Sequence, residues 1–174
     1  MELTEDRIID APRDTVWAAL FDPEVLKACV PGCQELTGSA EEGFDAVVVQ
    51  KVGPVKATFK GSVSMTDVIA GESCTLVGEG KGGAAGFAKG EARVSLADGD
   101  GGTTKLSYVV EAKVGGKLAQ LGSRIVDGFA RKMAQDFFTR FQEQVEPPKP
   151  EDDTADAAPE DAPKKGWLKR TFSS

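Results

Sequence analysis

A chain of 174 residues with a formal charge of -7 has room for one domain of roughly 100 to 150 residues and an appendage, and one hydrophobic core rather than two. Its acidity weighs against nucleic acid as a partner, because phosphate binding needs a clustered positive surface, and along the chain dense cations occur only at the extreme C-terminus. The charged start MELTEDRIID and the lack of about 18 consecutive apolar residues lead to the expectation of a cytoplasmic protein.

Leu3 to Ile9 reads as a first strand, and Pro12 then opens a helix, where its missing N–H costs nothing, that runs to Asp22. Pro23 starts a second short helix through Lys27, which the Pro31-Gly32 pair ends. From Gln34 to Val114 the apolar period is two, with turn signals at Glu42-Gly43, Gly53-Pro54, Gly71, Gly82-Gly83 and Asp98 to Gly102. This predicts about six strands in an antiparallel meander, clearest where Val55, Ala57, Phe59, Gly61, Val63 and Met65 alternate with Lys56, Thr58, Lys60, Ser62 and Ser64. After Gly115-Gly116, Leu118, Leu121, Ile125, Phe129, Met133, Phe137 and Phe141 recur every three or four residues, which predicts one long helix from about Lys117 to Val145, stopped by Pro147-Pro148.

The expected class is α+β, with the long helix lying across a curved antiparallel sheet of about seven strands. Residues 1–146 are expected to form the domain and 147–163 an acidic, Pro/Ala-rich linker that cannot bury enough surface to order itself. Residues 164–174 read as a basic and aromatic tail: Lys164, Lys165, Lys169 and Arg170 beside Trp167, Leu168 and Phe172 suit the headgroup boundary of an anionic membrane.

This order of elements resembles the helix-grip fold of the birch-pollen-allergen and START-related superfamily, which often encloses a lipophilic ligand. The stretches Cys29-Val-Pro-Gly-Cys-Gln34, Val55-Lys-Ala-Thr-Phe-Lys-Gly61, Gly78-Glu-Gly-Lys-Gly-Gly-Ala-Ala-Gly-Phe87 and Gly122-Ser-Arg-Ile-Val-Asp-Gly-Phe129 further resemble the CoxG family of carbon monoxide dehydrogenase proteins, over roughly residues 1 to 145. The resemblance implies an accessory protein of a molybdenum hydroxylase such as the carbon monoxide dehydrogenase complex, and by layout a C-terminal extension that touches the membrane.

Small residues dominate the positions expected to face inward: Ala57, Gly61, Gly78, Gly80, Ala88, Gly90, Ala92 and Ala112. Small walls leave room for a ligand, unless the Phe-rich helix fills it. The candidate lining residues are Phe59, Leu76, Tyr108 and Val110 from strands and Ile125, Phe129 and Met133 from the helix, with Phe87 near an expected bulge and Tyr108 as the polar handle.

No catalytic residue is assigned. The chain has no histidine, which removes the usual general base, and its carboxylates fall mainly on turns, wet strand faces and the linker. Gly78-Glu-Gly-Lys-Gly-Gly83 matches a dinucleotide fingerprint only formally, since a strand and not a helix follows it. Cys29, Cys33 and Cys74 are expected as reduced, structural thiols, and no metal site is assigned because Pro31 and Gly32 separate the first pair and no histidine completes a ligand set. No covalent cofactor is expected. The ligand expected is a quinone or another lipophilic molecule, held by a protein peripheral to the inner face of the cytoplasmic membrane; the rivals are a general carrier of lipids or small hydrophobes and a ligand-free assembly factor.

Overall fold

The computed structural model describes residues 1–147, so the tail and nearly all of the expected linker lie outside the described residues. A seven-stranded, wholly antiparallel sheet runs in the order β1-β7-β6-β5-β4-β3-β2, made of β1 (Glu2–Ile9), β2 (Cys33–Ser39), β3 (Gly43–Val52), β4 (Val55–Ile69), β5 (Ser73–Lys81), β6 (Phe87–Asp98) and β7 (Thr104–Gly115). Six strands form the meander that the period-two pattern predicts, and β1 closes onto β7, pairing Leu3 with Val110 and Ile9 with Thr104.

Two short helices, α1 (Arg13–Leu20) and α2 (Pro23–Cys29), connect β1 to β2. Pro12 stands just before α1 in extended geometry, and Pro23 opens α2 behind Asp22, whose side chain accepts a 2.9 Å hydrogen bond from the Glu24 amide. Gly32 ends the corner after α2 at φ +74, with the Val49 carbonyl so close that any Cβ would collide with it; the Val49 amide donates to the Gly32 carbonyl at 2.9 Å.

The expected single long helix is two. A short α3 (Lys117–Gln120) is followed by Leu121 and Gly122, and only then by α4 (Ser123–Val145). Gly122 sits at φ +91, a left-handed conformation that interrupts the backbone hydrogen-bond ladder although the apolar spacing runs straight through it. Periodicity reports which face is apolar, and glycine decides whether the axis is continuous. α4 packs against α2 and β1 and reaches β3, which places it over the inner face of the sheet.

The inner face changes character along the strands. At one end Val94, Leu96, Leu106, Tyr108 and Cys74 are buried with Ile9, Val16, Phe138 and Phe141 in the core cluster. Farther along, the register lines up two neighbouring cross-strand rows of small residues, Gly61-Gly80-Ala88 and Gly78-Gly90-Ala112. Side chains fill the first region; in the second there is nothing long enough to reach α4.

Candidate functional site

The two small rows floor a pair of adjoining apolar cavities of about 500 and 510 Å³. Both are walled by Val30, Val48, Gly61, Gly80, Ala88, Val110, Ala112 and Phe137. The first continues under α4, beside Phe129, Met133 and Val126; the second continues toward α1, α2 and β2, beside Leu20, Leu26, Leu36 and Phe44. Volumes of this size suit a small lipophilic molecule. A larger hollow of about 880 Å³ lies across the opposite face of the sheet, but its walls include Ser62, Ser64, Glu79, Lys89 and Glu91, so it is a wet surface unsuited to a hydrophobe.

Of the residues chosen from sequence, Phe59, Phe129 and Met133 line the first cavity, Leu76 lines the second and Val110 lines both. Three lie elsewhere. Ile125 is 42% exposed and its side chain approaches the β3–β4 turn at Gly53, because the helix restarts at Ser123 and turns this residue off the inner face. Phe87 occupies no bulge: it pairs in regular register with Lys81 and Gly115 and its ring covers Gly115, whose missing side chain makes the space. A residue of that parity points away from Ala88 and therefore away from the cavity.

Tyr108 is buried outside the cavity. Its ring stacks on Phe138 with centroids 5.0 Å apart, and its hydroxyl donates a 2.6 Å hydrogen bond to Glu5. Burial first, and then that bond to Glu5, push the phenol well above its ordinary range, so it stays protonated. The same cluster holds Arg7, which donates to Gln142 at 3.0 Å and lies over the Phe138 ring at 5.3 Å. These groups fasten β1 to the last turns of α4, and Tyr108 is a structural polar residue rather than a ligand handle.

The polar residue that sequence reasoning missed is Gln50. Phe44, Ala46, Val48, Gln50 and Val52 form the inward row of β3, and Gln50 is its only amide. Its Nε2 donates to the Pro31 carbonyl, tying the β3 wall to the corner whose Val30 and Pro31 also line the cavity. Its place in an otherwise apolar alternation, two residues from Val48 and from Val52, was the available signal.

Burial raises the Cys29, Cys33 and Cys74 thiols above their usual range, opposed at Cys29 by Arg140 and at Cys33 by Lys27. Cys33 donates to the Glu35 carbonyl at 3.3 Å. Protonated thiols are poor nucleophiles and poor metal ligands. Among the described residues no cluster of three His, Cys, Asp or Glu side chains could hold a metal ion, and no helix is long and apolar enough to cross a membrane.

A curved antiparallel sheet with a C-terminal helix laid over an apolar hollow defines the START-like, helix-grip class. A START superfamily protein from Mycobacterium smegmatis has the same fold, with a TM-score of 0.62 at 14% identity, covering 83% of this chain and 96% of that one. The similarity is greater to a conserved protein from Geobacillus kaustophilus, with a TM-score of 0.78 and 28% identity over 83% of this chain and 95% of that one. No curated protein matches the sequence. The family model for the carbon monoxide dehydrogenase protein CoxG matches residues 7–146, and the chain belongs to that family.

Proposed function

We propose that this domain carries a hydrophobic molecule in its internal cavity, that the molecule is a quinone, and that the protein thereby serves a molybdenum hydroxylase of the carbon monoxide dehydrogenase type at the cytoplasmic membrane. The observation that carries the reading is the dry hollow floored by Gly61, Gly80, Ala88 and Ala112. A fold that leaves such a space unfilled forgoes packing contacts, and a bound hydrophobe restores them. Family membership supports the accessory role and the association with the hydroxylase. In this reading the tail, with Lys164, Lys165, Trp167, Leu168, Lys169, Arg170 and Phe172, provides peripheral attachment to anionic lipid. Gln50 offers the ligand's polar end an amide oxygen and a second N–H beside the bond that it already gives Pro31.

The test is to extract the full chain natively from quinone-producing cells and weigh it with its cargo. A prenylated quinone is the expected mass; acyl lipids in its place would favour a general lipid carrier, and an empty protein that is required for hydroxylase activity would favour an assembly factor. Gly80→Leu gives the matching block. A Cβ at Gly80 would find only ordinary contacts, at 3.9 Å from the Lys60 carbonyl oxygen and 4.0 Å from the Gly61 Cα, so the added side chain can enter the cavity without straining the strand. It is expected to abolish cargo while leaving a cooperative unfolding transition, and full loading of this variant would sink the cavity reading. Gln50→Leu is expected to weaken a quinone about tenfold, the worth of one hydrogen bond in a dry site, without affecting a plain hydrocarbon.

A further inference from the structure

The linear sequence scatters its internal lysines, but the antiparallel meander gathers them. The β3–β4 turn, the β5–β6 loop and the β7–α3 connection all lie at one end of the sheet, since Val52 pairs with Val55, Lys81 with Phe87 and Phe87 with Gly115. The β5–β6 loop meets the start of α3 backbone to backbone, at Gly86 and Gly116, and the Gly53 turn meets the first turn of α4 at Ile125. The segments that build this pole, residues 49–58, 80–88 and 112–126, carry Lys51, Lys56, Lys81, Lys113, Lys117 and Arg124 and no acidic residue. All six are exposed, and none is in a salt bridge among the described residues. The opposite pole is the reverse: the hairpin loops at 38–43, 67–75 and 96–104 carry Glu41, Glu42, Asp67, Glu72, Asp98 and Asp100 and no base. A chain of net charge -7 is therefore strongly polarised.

The basic pole also bears exposed apolar side chains, Phe87 and Ile125, each 42% accessible. The cavity reaches this same pole, where Val52, Val114, Leu118 and Val126 bound it. We propose that this pole is a docking face for an anionic lipid surface, through which the globular domain itself, independently of the tail, sets its cavity against the bilayer. Charge alone would equally suit an acidic protein. The exposed Phe and Ile beside the end of a dry cavity favour lipid, because a hydrophobe passing between bilayer and cavity must keep its hydrocarbon out of water, and contact at this pole shortens the wet path. Each lysine held near an anionic leaflet attracts it, and the acidic pole is repelled, so the charges also fix which end faces the surface.

The inference takes its purpose from the cavity reading and owes nothing to the tail, and the experiment separates all three. Full-length protein carrying Trp167→Ala, Leu168→Ala and Phe172→Ala is sedimented with vesicles of mixed phosphatidylglycerol and phosphatidylcholine at low and high salt. Salt-sensitive binding is expected to persist; its complete loss would mean that the pole does not bind lipid by itself and would overturn the proposal. Adding Lys51→Gln, Lys56→Gln and Lys117→Gln is expected to reduce the remaining affinity about tenfold or more. Arg93→Gln with Lys105→Gln, changes on strands away from this pole, are expected to stay within about twofold of the parent, since they lie beyond screening distance of a surface docked there. Equal losses in the two sets would also overturn it. So would unchanged vesicle binding accompanied by loss of the hydroxylase from pull-downs, which would give the pole to a protein partner instead. Cargo is weighed in the same samples: an empty cavity with vesicle binding still dependent on the pole would defeat the cavity reading and leave the docking face standing.

Discussion

The two halves of α4 rest on the same sheet and do opposite things. From Ala134 onward the helix is packed: Phe138 stacks on Tyr108, Phe141 is wholly buried, Arg7 bonds Gln142, and Glu146 accepts the Asp10 amide at 2.9 Å. From Ser123 to Met133 it stands over a hollow, with Phe129 and Met133 facing glycine and alanine across the gap. The difference comes less from the helix, which is aromatic in both halves, than from the strands opposite, where Leu96, Leu106 and Tyr108 give way to Ala88, Gly80 and Gly61. One half serves as an anchor, and the other serves as the lid of a container.

Truncating one phenylalanine in each half gives the sharpest way to break this comparison. Phe141→Ala removes a side chain with no exposed surface from the close-packed end, and should destabilise the fold by about 3–5 kcal/mol. Phe129→Ala removes a half-buried ring that already borders empty space, so less contact is lost, and about 1–2 kcal/mol is expected. Chemical unfolding of both variants measures the gap. Equal costs would mean that the cavity end is as tightly packed as the anchor and that the hollow closes in solution.

How much of this was legible in the sequence follows the same division. Alternation and turn residues located every strand, because the period of two and a glycine at each reversal are local properties. The small inward residues were visible too, and the register then assembled all but Ala57 of them into the cavity floor. What failed depended on orientation or on distance along the chain. Ile125 keeps the helical spacing but loses the inner face where Gly122 breaks the axis. Phe87 was placed by its neighbourhood rather than by its parity, which is opposite to that of Ala88. Tyr108 has the correct parity, but β1 supplies Glu5 opposite it at a separation of 103 residues, and no local pattern announces that pairing. The basic pole is the largest such miss: along the chain the lysines look dispersed, and only strand pairing makes them neighbours.

The smallest expected effect tests the anchor through its single titrating ring. Tyr108 is the only tyrosine in the chain, so its phenolate absorbance can be read without interference from another tyrosine. Burial and the bond to Glu5 raise its pKa in the folded state, so the native protein keeps a proton that the unfolded chain releases near pH 10. The stability linked to that proton is fully present below about pH 10 and is lost as pH rises toward the folded value, because the unfolded chain gains by ionising and the native one does not. The wild-type phenol should accordingly resist titration until the protein unfolds, and absorbance and unfolding should then rise together. Tyr108→Phe removes this component, and the Cys and Lys contributions to alkaline unfolding remain. At neutral pH the same substitution should cost only about 1 kcal/mol, the net worth of one hydrogen bond, because Glu5 keeps Arg7 at 3.9 Å and is 35% open to water. A tyrosine that titrates freely at its ordinary pKa while the fold stays intact would show that the Tyr108–Glu5 contact is not formed in solution and that the anchor rests on the aromatic stack alone.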